Sequence, residues 1–184
     1  CCPATDGAAA VVLVREEDAK KFRAPVLVAG LGFSVSSGWD GPFHDESFDF
    51  IGFPAVRQAS KAAYARAEIS DPVRDAQLVE VHDFFSVNEL IAYEDLGLCG
   101  RGEAQKLLRD GATKFGGRIP VNVSGGLLSC GHPVGATGLR MVYEVARQVR
   151  GAAGARQVAG ARQGITQNIG GPGAVAFVSV IRKL

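Results

Sequence analysis

The stretch Gly125-Gly126-Leu127-Leu128-Ser129-Cys130-Gly131-His132-Pro133-Val134-Gly135-Ala136-Thr137-Gly138 carries five glycines, a proline, a cysteine and a histidine in fourteen residues. An apolar-periodic segment, Leu139 to Val149, follows at once. Glycine lets the backbone take positive φ and lets a ligand approach it closely. Dense glycine beside one titratable ring, directly ahead of a helix, points to a loop that holds His132 at a helix N-terminus. Backbone N–H groups and the helix dipole there favour negative charge. A tight strand-to-helix turn with a capping histidine has the same local signature. The length and composition of the stretch favour a site.

Downstream, the spacing predicts a helix over 135–150 with Leu139, Val142, Tyr143, Ala146 and Val149 on one stripe, Tyr143 belonging to the core. A Gly/Ala loop (151–160) leads to a strand, Ala161 to Gln167. A second glycine turn, Asn168-Ile169-Gly170-Gly171-Pro172-Gly173, precedes a last apolar strand, Ala174 to Ile181. Upstream, Ile119 to Val123 is short and extended. Ala76 to Val81 reads as a strand that ends in His82-Asp83-Phe84-Phe85-Ser86. A histidine and a carboxylate at the C-terminal end of an α/β strand sit where such folds place ligands. Ser86, followed three residues later by Glu89, reads as a capping box opening a helix over 87–96. Phe53 to Ile69 is an amphipathic helix, and Pro25 to Val35 a strand whose glycines suggest a bulge. Ala8 to Val14 reads as a buried strand, and Glu16 to Phe22 as a short polar helix. Trp39, Phe43, Phe48 and Phe50 stud a loop over 36–50, where aromatics form a lid over a ligand or, more commonly, anchor the loop on the core; His44 there reads as a surface or capping histidine. Strands alternating with helices argue for α/β layers.

The 184 residues suffice for one good-sized domain. A formal net charge of +1 gives no reason to expect nucleic acid or an anionic membrane surface as a partner. No apolar run is long enough for a membrane span. Cys1, Cys2, Cys99 and Cys130 lack metal or disulfide spacing, so no metal is expected, and the chain reads as reducing and cytoplasmic in type. Cys1-Cys2-Pro3 runs straight into an apolar segment, and Met141 is the only methionine, so the chain looks like one entered in mid-fold.

Several of these stretches together resemble the thiolase superfamily, most of all the thiolase part of sterol carrier protein X and its bacterial lipid-transfer-type relatives. The resemblance rests on Asp6-Gly7-Ala8-Ala9-Ala10, on Val79 to Leu90 and on Tyr93 to Cys99. It continues through Ser124 to Ser129, Gly131-His132-Pro133, Gly135 to Gly138 and Gln167 to Gly171. It implies half of a two-half α/β fold, with a five-stranded mixed sheet layered with helices. Residues 1–22 then correspond to the last strand and tail of the first half, and 23–184 to the second half. The family's nucleophilic cysteine belongs to the first half and is not expected here.

By the same resemblance His132 falls in the place of the histidine that activates the nucleophile and donates to the thioester oxygen. His82 and Asp83 match a His-Asp-Cys-Phe motif, with Phe84 standing in the cysteine's place. Gln167 stands where other thiolases carry a second cysteine in a C-x-G-G-G loop. Cys130 reads as a buried structural thiol. His132 and His82 are expected to stabilise an enolate and Asp83 to orient His82. Gly125, Gly126, Gly131, Gly170, Gly171 and Gly173 are expected to let the backbone approach pantetheine and carbonyl. The implied substrate is a coenzyme A thioester with no bound cofactor. The implied partners are an N-terminal thiolase half, further copies in an oligomer and a small OB-fold, zinc-ribbon protein. Loss of the cysteine leaves three readings open: a thiolase, a retro-aldol carbon–carbon lyase, and a binding-only acyl-CoA or lipid subunit.

Overall fold

The computed structural model describes residues 1–36, 51–171 and 173–184. The expectations for Trp39, Phe43, His44, Phe48, Phe50 and Pro172 lie outside them.

Strands β1 (Val26–Val35), β2 (Leu78–Val81), β3 (Gln163–Gly170) and β4 (Val175–Lys183) form one sheet in the order β1-β4-β3-β2. β2 and β3 run parallel, and β4 is antiparallel to both its neighbours. The expected five-stranded sheet thus has four strands among the described residues. The missing fifth, Ile119 to Val123, contributes one parallel bridge, Val79 to Val121. Pro120 has no N–H to give a ladder, and Asn122 adopts a left-handed φ of 51° while its Oδ1 accepts from Val81 N–H at 2.8 Å. The side chain therefore takes the place of the next backbone rung. β3 runs on to Gly170, through residues expected to turn. Each of them keeps a β4 partner, down to Gly170 opposite Val175.

Helix α1 (Pro54–Ala67) starts with proline, whose missing N–H costs nothing in a first turn. It lays Ala55, Val56, Ala59, Ala63 and Ala67 on the sheet. The approach is close because β1 is small on that side: a Cβ on Gly32 would stand 1.8 Å from the Ala59 carbonyl oxygen. A register shift between Val28 and Gly30 is the expected bulge. After the single turn α2 (Pro72–Asp75), helices α3 (Ser86–Asp95) and α4 (Ala104–Arg109) complete that layer. Tyr93 and Leu96 of this layer join Val56, Ile165 and Val178 in the main core. The buried Asp95 carboxylate ties α1 to α3, accepting from Phe53 N–H at 2.6 Å and pairing with Arg57 at 2.7 Å.

The opposite face carries the short α5 (Gly126–Cys130) and the longer α6 (Thr137–Val149). α6 buries Met141, Val145 and Val149, the last two against Leu78 and Ile181. The expected stripe is rotated: Tyr143 is 51% exposed and Leu139 38%. The cause is polar burial. Glu144 turns inward to pair with Arg156 at 2.5 Å, and Gln148 donates to Arg156 O and accepts from Val158 N–H. A pattern that assigns polar residues to solvent misplaces such a helix.

Ala8 to Val14 forms no strand, and Val12 and Leu13 are 82% and 78% exposed. An extended segment needs a neighbour for its backbone groups, and no described strand lies beside it. The outward side of β1 is also bare. Val28, Leu31, Phe33 and Val35 are exposed, and Phe33 stacks on Phe177 of β4 at 4.6 Å. Among the described residues no helix is long and apolar enough to cross a membrane.

Candidate functional site

Period two along the strands decides what meets. Leu78 of β2 packs under α6, whereas Val79 and Val81 join the core beneath α1 and α3. Glu80 and His82 therefore share the α6 side with Leu78. On β3, a Cβ at Gly164 would touch Val145 of α6, so Thr166 and Asn168 share that side too. His82 and Asn168 meet there, the ring Nδ1 lying 2.7 Å from Asn168 Oδ1. Gln167 points the other way, is buried, and accepts from His82 N–H at 3.0 Å. Counting back from Gly170-Gly171, the C-x-G-G spacing also lands on Asn168, one residue after the expected Gln167. Asn168 is the residue beside the histidine.

His132 sits between α5 and α6, its ring centroid 4.8 Å from that of His82 in an edge-on arrangement. Its Nδ1 lies 2.7 Å from Thr137 Oγ1, and the Thr137 hydroxyl donates to Pro133 O at 3.2 Å. A hydroxyl has one proton. With that proton on Pro133 O, Thr137 accepts from His132 Nδ1–H, which leaves Nε2 with the lone pair. Asn168 Oδ1, a pure acceptor, fixes the same tautomer on His82. These assignments come from the hydrogen-bond network. Burial lowers the pKa of His82 from its ordinary value; Asn168 offsets this in part, and the neighbouring His132 lowers it further.

Asp83 does not orient His82 as expected. Its Oδ1 accepts from Leu127 N–H at 2.7 Å, so the buried carboxylate caps α5 and fastens the glycine turn. Gly126, at φ +65°, is where that fastening needs glycine, since a Cβ there would lie 2.1 Å from Asp83 Oδ2. Gly125 opens α5 and Gly131 ends it against Thr5. Gly170 closes β3, Gly171 faces open space, and Gly173 packs on the Phe53 ring, away from the histidine pair. Phe84 stacks edge-on against His82 at 5.1 Å. Cys130 is exposed rather than buried, and its S–H donates to Ser124 O at 3.4 Å.

The Ser86–Glu89 capping box does not form. Phe85 is the N-cap of α3 and makes no side-chain cap bond. The Glu89 carboxylate instead accepts from the Tyr93 hydroxyl and from Asn122 Nδ2. Burial raises the pKa of Glu89 and, with the Glu89 hydrogen bond, that of Tyr93.

Three contributors escaped the sequence reading. Asn168 was legible from motif spacing. Thr137 lies five residues after His132, within reach across the first turn of α6. The third is the segment 2–4: Cys2 N–H donates to Phe84 O at 2.9 Å, His132 N–H donates to Pro3 O at 3.1 Å, and Ala4 bridges His132. Among the described residues no group of three His, Cys, Asp or Glu side chains is arranged to hold a metal.

The family described as "Thiolase C-terminal domain-like" matches residues 38–183. The chain is 42% identical over its full length to an acetyl-CoA acetyltransferase of Methanothermobacter thermautotrophicus, of which it spans 46%. It is 40% identical over 95% of its length to sterol carrier protein 2 of Gallus gallus, of which it spans 32%. Its fold superposes on a solved structure described as "Ltp2-ChsH2(DUF35) aldolase" with a TM-score of 0.76 and 26% identity, covering 91% of this chain and 42% of that one. The chain thus spans less than half of each of these relatives.

Proposed function

The chain belongs to the thiolase C-terminal domain-like family, and from that premise we propose that it is the histidine-bearing half of an acyl-CoA-handling protein that makes or breaks a carbon–carbon bond beside a thioester. The observation that carries this reading is the histidine pair: two rings 4.8 Å apart, each anchored at Nδ1, with no hydrogen bond to either Nε2 among the described residues.

His132 Nε2 is the base. Once it has taken a proton, the same nitrogen donates to the oxygen of the thioester, where negative charge develops as an enolate forms. The positive charge on that ring then disfavours a positive charge on the neighbouring His82. Phe84 and Asn168 stand at the two positions where the family carries cysteine, and neither side chain transfers a proton. Claisen-type thiolysis needs a nucleophilic thiol and a further acid. Retro-aldol cleavage of a 3-hydroxyacyl thioester needs less. The base takes the hydroxyl proton, the bond between C2 and C3 breaks, and a carbonyl compound leaves. The same proton then returns to C2 of the enolate. One imidazole closes that cycle, and the aldolase relative supports it.

A binding-only acyl-CoA subunit is the second reading, favoured by the same loss of thiols. Residues 1–22 are read as the closing strand of a first half and 23–184 as the second. The bare faces of Ala8–Val14 and β1 support packing against that first half, in the same or a separate chain. The two-component name of the aldolase relative supports a further subunit; the OB-fold, zinc-ribbon kind is what the family resemblance implies for it.

The test is turnover by the full-length protein of a 3-hydroxyacyl-CoA, and separately of a 3-ketoacyl-CoA with coenzyme A. Release of a carbonyl compound and a shortened acyl-CoA, lost in His132→Ala, is the expected result. Activity that survives His132→Ala sinks the assignment. Calorimetric binding without turnover of either substrate favours the second reading.

A further inference from the structure

Glu80 is fully buried on the α6 side of β2, two residues before His82. Its carboxylate accepts twice from one residue, from Ser124 Oγ at 2.5 Å and from Ser124 N–H at 3.1 Å. Ser124 Oγ in turn accepts from Gly126 N–H at 3.2 Å and from Arg140 Nη1 at 3.3 Å. A hydroxyl offers one proton and two lone pairs. All three are used here, and they are satisfied together only while the oxygen of Glu80 beside Ser124 Oγ is an acceptor. A proton placed on that oxygen forces the hydroxyl to turn and give up a donor, either Gly126 N–H or Arg140.

Arg140 is already short of partners: its Nε and Nη2 are buried with no hydrogen bond. The charged groups facing Glu80 are Arg140 and Glu144 from α6, with Arg156 paired to Glu144 at 2.5 Å. Two acids and two arginines balance when Glu80 is ionised.

The same atoms join every piece of the histidine site. β2 carries His82. The Ser124–Gly126 turn sets Leu127 N–H on Asp83. Arg140 lies one turn along α6 from Thr137, which holds His132. We propose that Glu80 is a positioning residue for the histidine pair: as a carboxylate it latches the Ser124–Gly126 turn and helix α6 to the strand that bears His82. Burial pushes the Glu80 carboxyl up to about 7, against the pull of the Ser124 hydrogen bonds and Arg140. Uptake of a proton near neutrality therefore weakens the latch. The catalytic part of this inference rests on the proposed thioester chemistry; the structural part does not.

The experiment is amide hydrogen exchange on the full-length protein across the peptide 122–131, from about pH 5.5 to about pH 8.5, corrected for intrinsic exchange. In the wild type, protection of this turn rises through neutrality; in Glu80→Gln and in Ser124→Ala it is low and flat. Protection that does not change with pH in the wild type overturns the proposal, and that series decides it even if a variant fails to fold. In steady state Glu80→Gln lowers kcat about tenfold or more with little change in KM, and the acidic limb near neutrality disappears from its kcat profile. An unaltered pH profile overturns the positioning role. Exchange that behaves as expected in a protein that turns over no thioester keeps the latch and removes the proposed reaction.

Discussion

Gly126→Ala separates two effects that glycine usually confounds. Gly126 and Gly151 both lie in the left-handed region, at φ +65° and +73°. A Cβ at Gly151 meets nothing within 4 Å, whereas one at Gly126 stands 2.1 Å from Asp83 Oδ2 and 2.7 Å from its Cγ. Alanine at either site bears the left-handed backbone penalty, about 1–2 kcal/mol. At Gly126 it must also push the buried Asp83 off Leu127 N–H, a charge-assisted bond of 2.7 Å. Losing such a bond costs about 1.5–3 kcal/mol more. Gly126→Ala is thus expected to destabilise by about 2.5–5 kcal/mol and Gly151→Ala by about 1–2 kcal/mol. Urea unfolding of the full-length protein at constant slope reads the difference as a larger fall in midpoint. If the two variants lose stability equally, Asp83 does not hold the glycine turn and the argument for its capping role fails.

Glu80 makes stability depend on pH in a known direction. The Ser124 bonds and Arg140 favour its carboxylate, but burial of the charge outweighs them: the folded-state pKa is raised, from 4.5 to about 7, so its contribution to global stability is full below the unfolded value and is lost as pH rises through about 7. Glu80→Gln, compared with wild type by urea unfolding, gains up to about 3 kcal/mol in relative stability between acid and mildly alkaline pH; a pH-independent difference contradicts this. Asn168→Asp puts a carboxylate beside His82 Nδ1, and His82 should then titrate at a higher pH by NMR. No movement would mean that the ring is not held by that side chain. Thr137→Val keeps the shape but removes the anchor of His132, and kcat is expected to drop roughly tenfold to a hundredfold with KM little changed; an unchanged kcat takes the hydroxyl out of the mechanism.

How much of this was readable beforehand depends on where the polar atoms go. The α1 helix, the bulged β1 and the glycine-rich approach to His132 follow from apolar periodicity and glycine placement. They emerge within a few residues of where the pattern puts them. Failures cluster where polar side chains turn inward. Glu144 and Gln148 rotate α6 away from its apparent stripe. Asn122 replaces a rung of the sheet and cuts the fifth strand to one bridge. Glu89 leaves its capping geometry for Tyr93 and Asn122. Asp83 reaches for a backbone amide 44 positions away in sequence rather than its neighbouring ring. The two histidines could be named from the motifs they sit in, but their Nδ1 partners could not, because alternation along β3 had to be fixed before Asn168 could be told from Gln167.

The short run from Cys2 to Ala4 has a consequence for cooperativity. It occupies the gap between the Phe84 carbonyl and the His132 amide, giving one hydrogen bond to each side. If that run closes off the first half of a larger fold, then the first half reaches into the second at the two peptide groups that border the histidines. Detaching it removes both hydrogen bonds from the half-buried Phe84 and His132, at about 0.5–1.5 kcal/mol each. Local opening at this junction and loss of the ring geometry then become one event, so a protein built this way melts its site together with its halves.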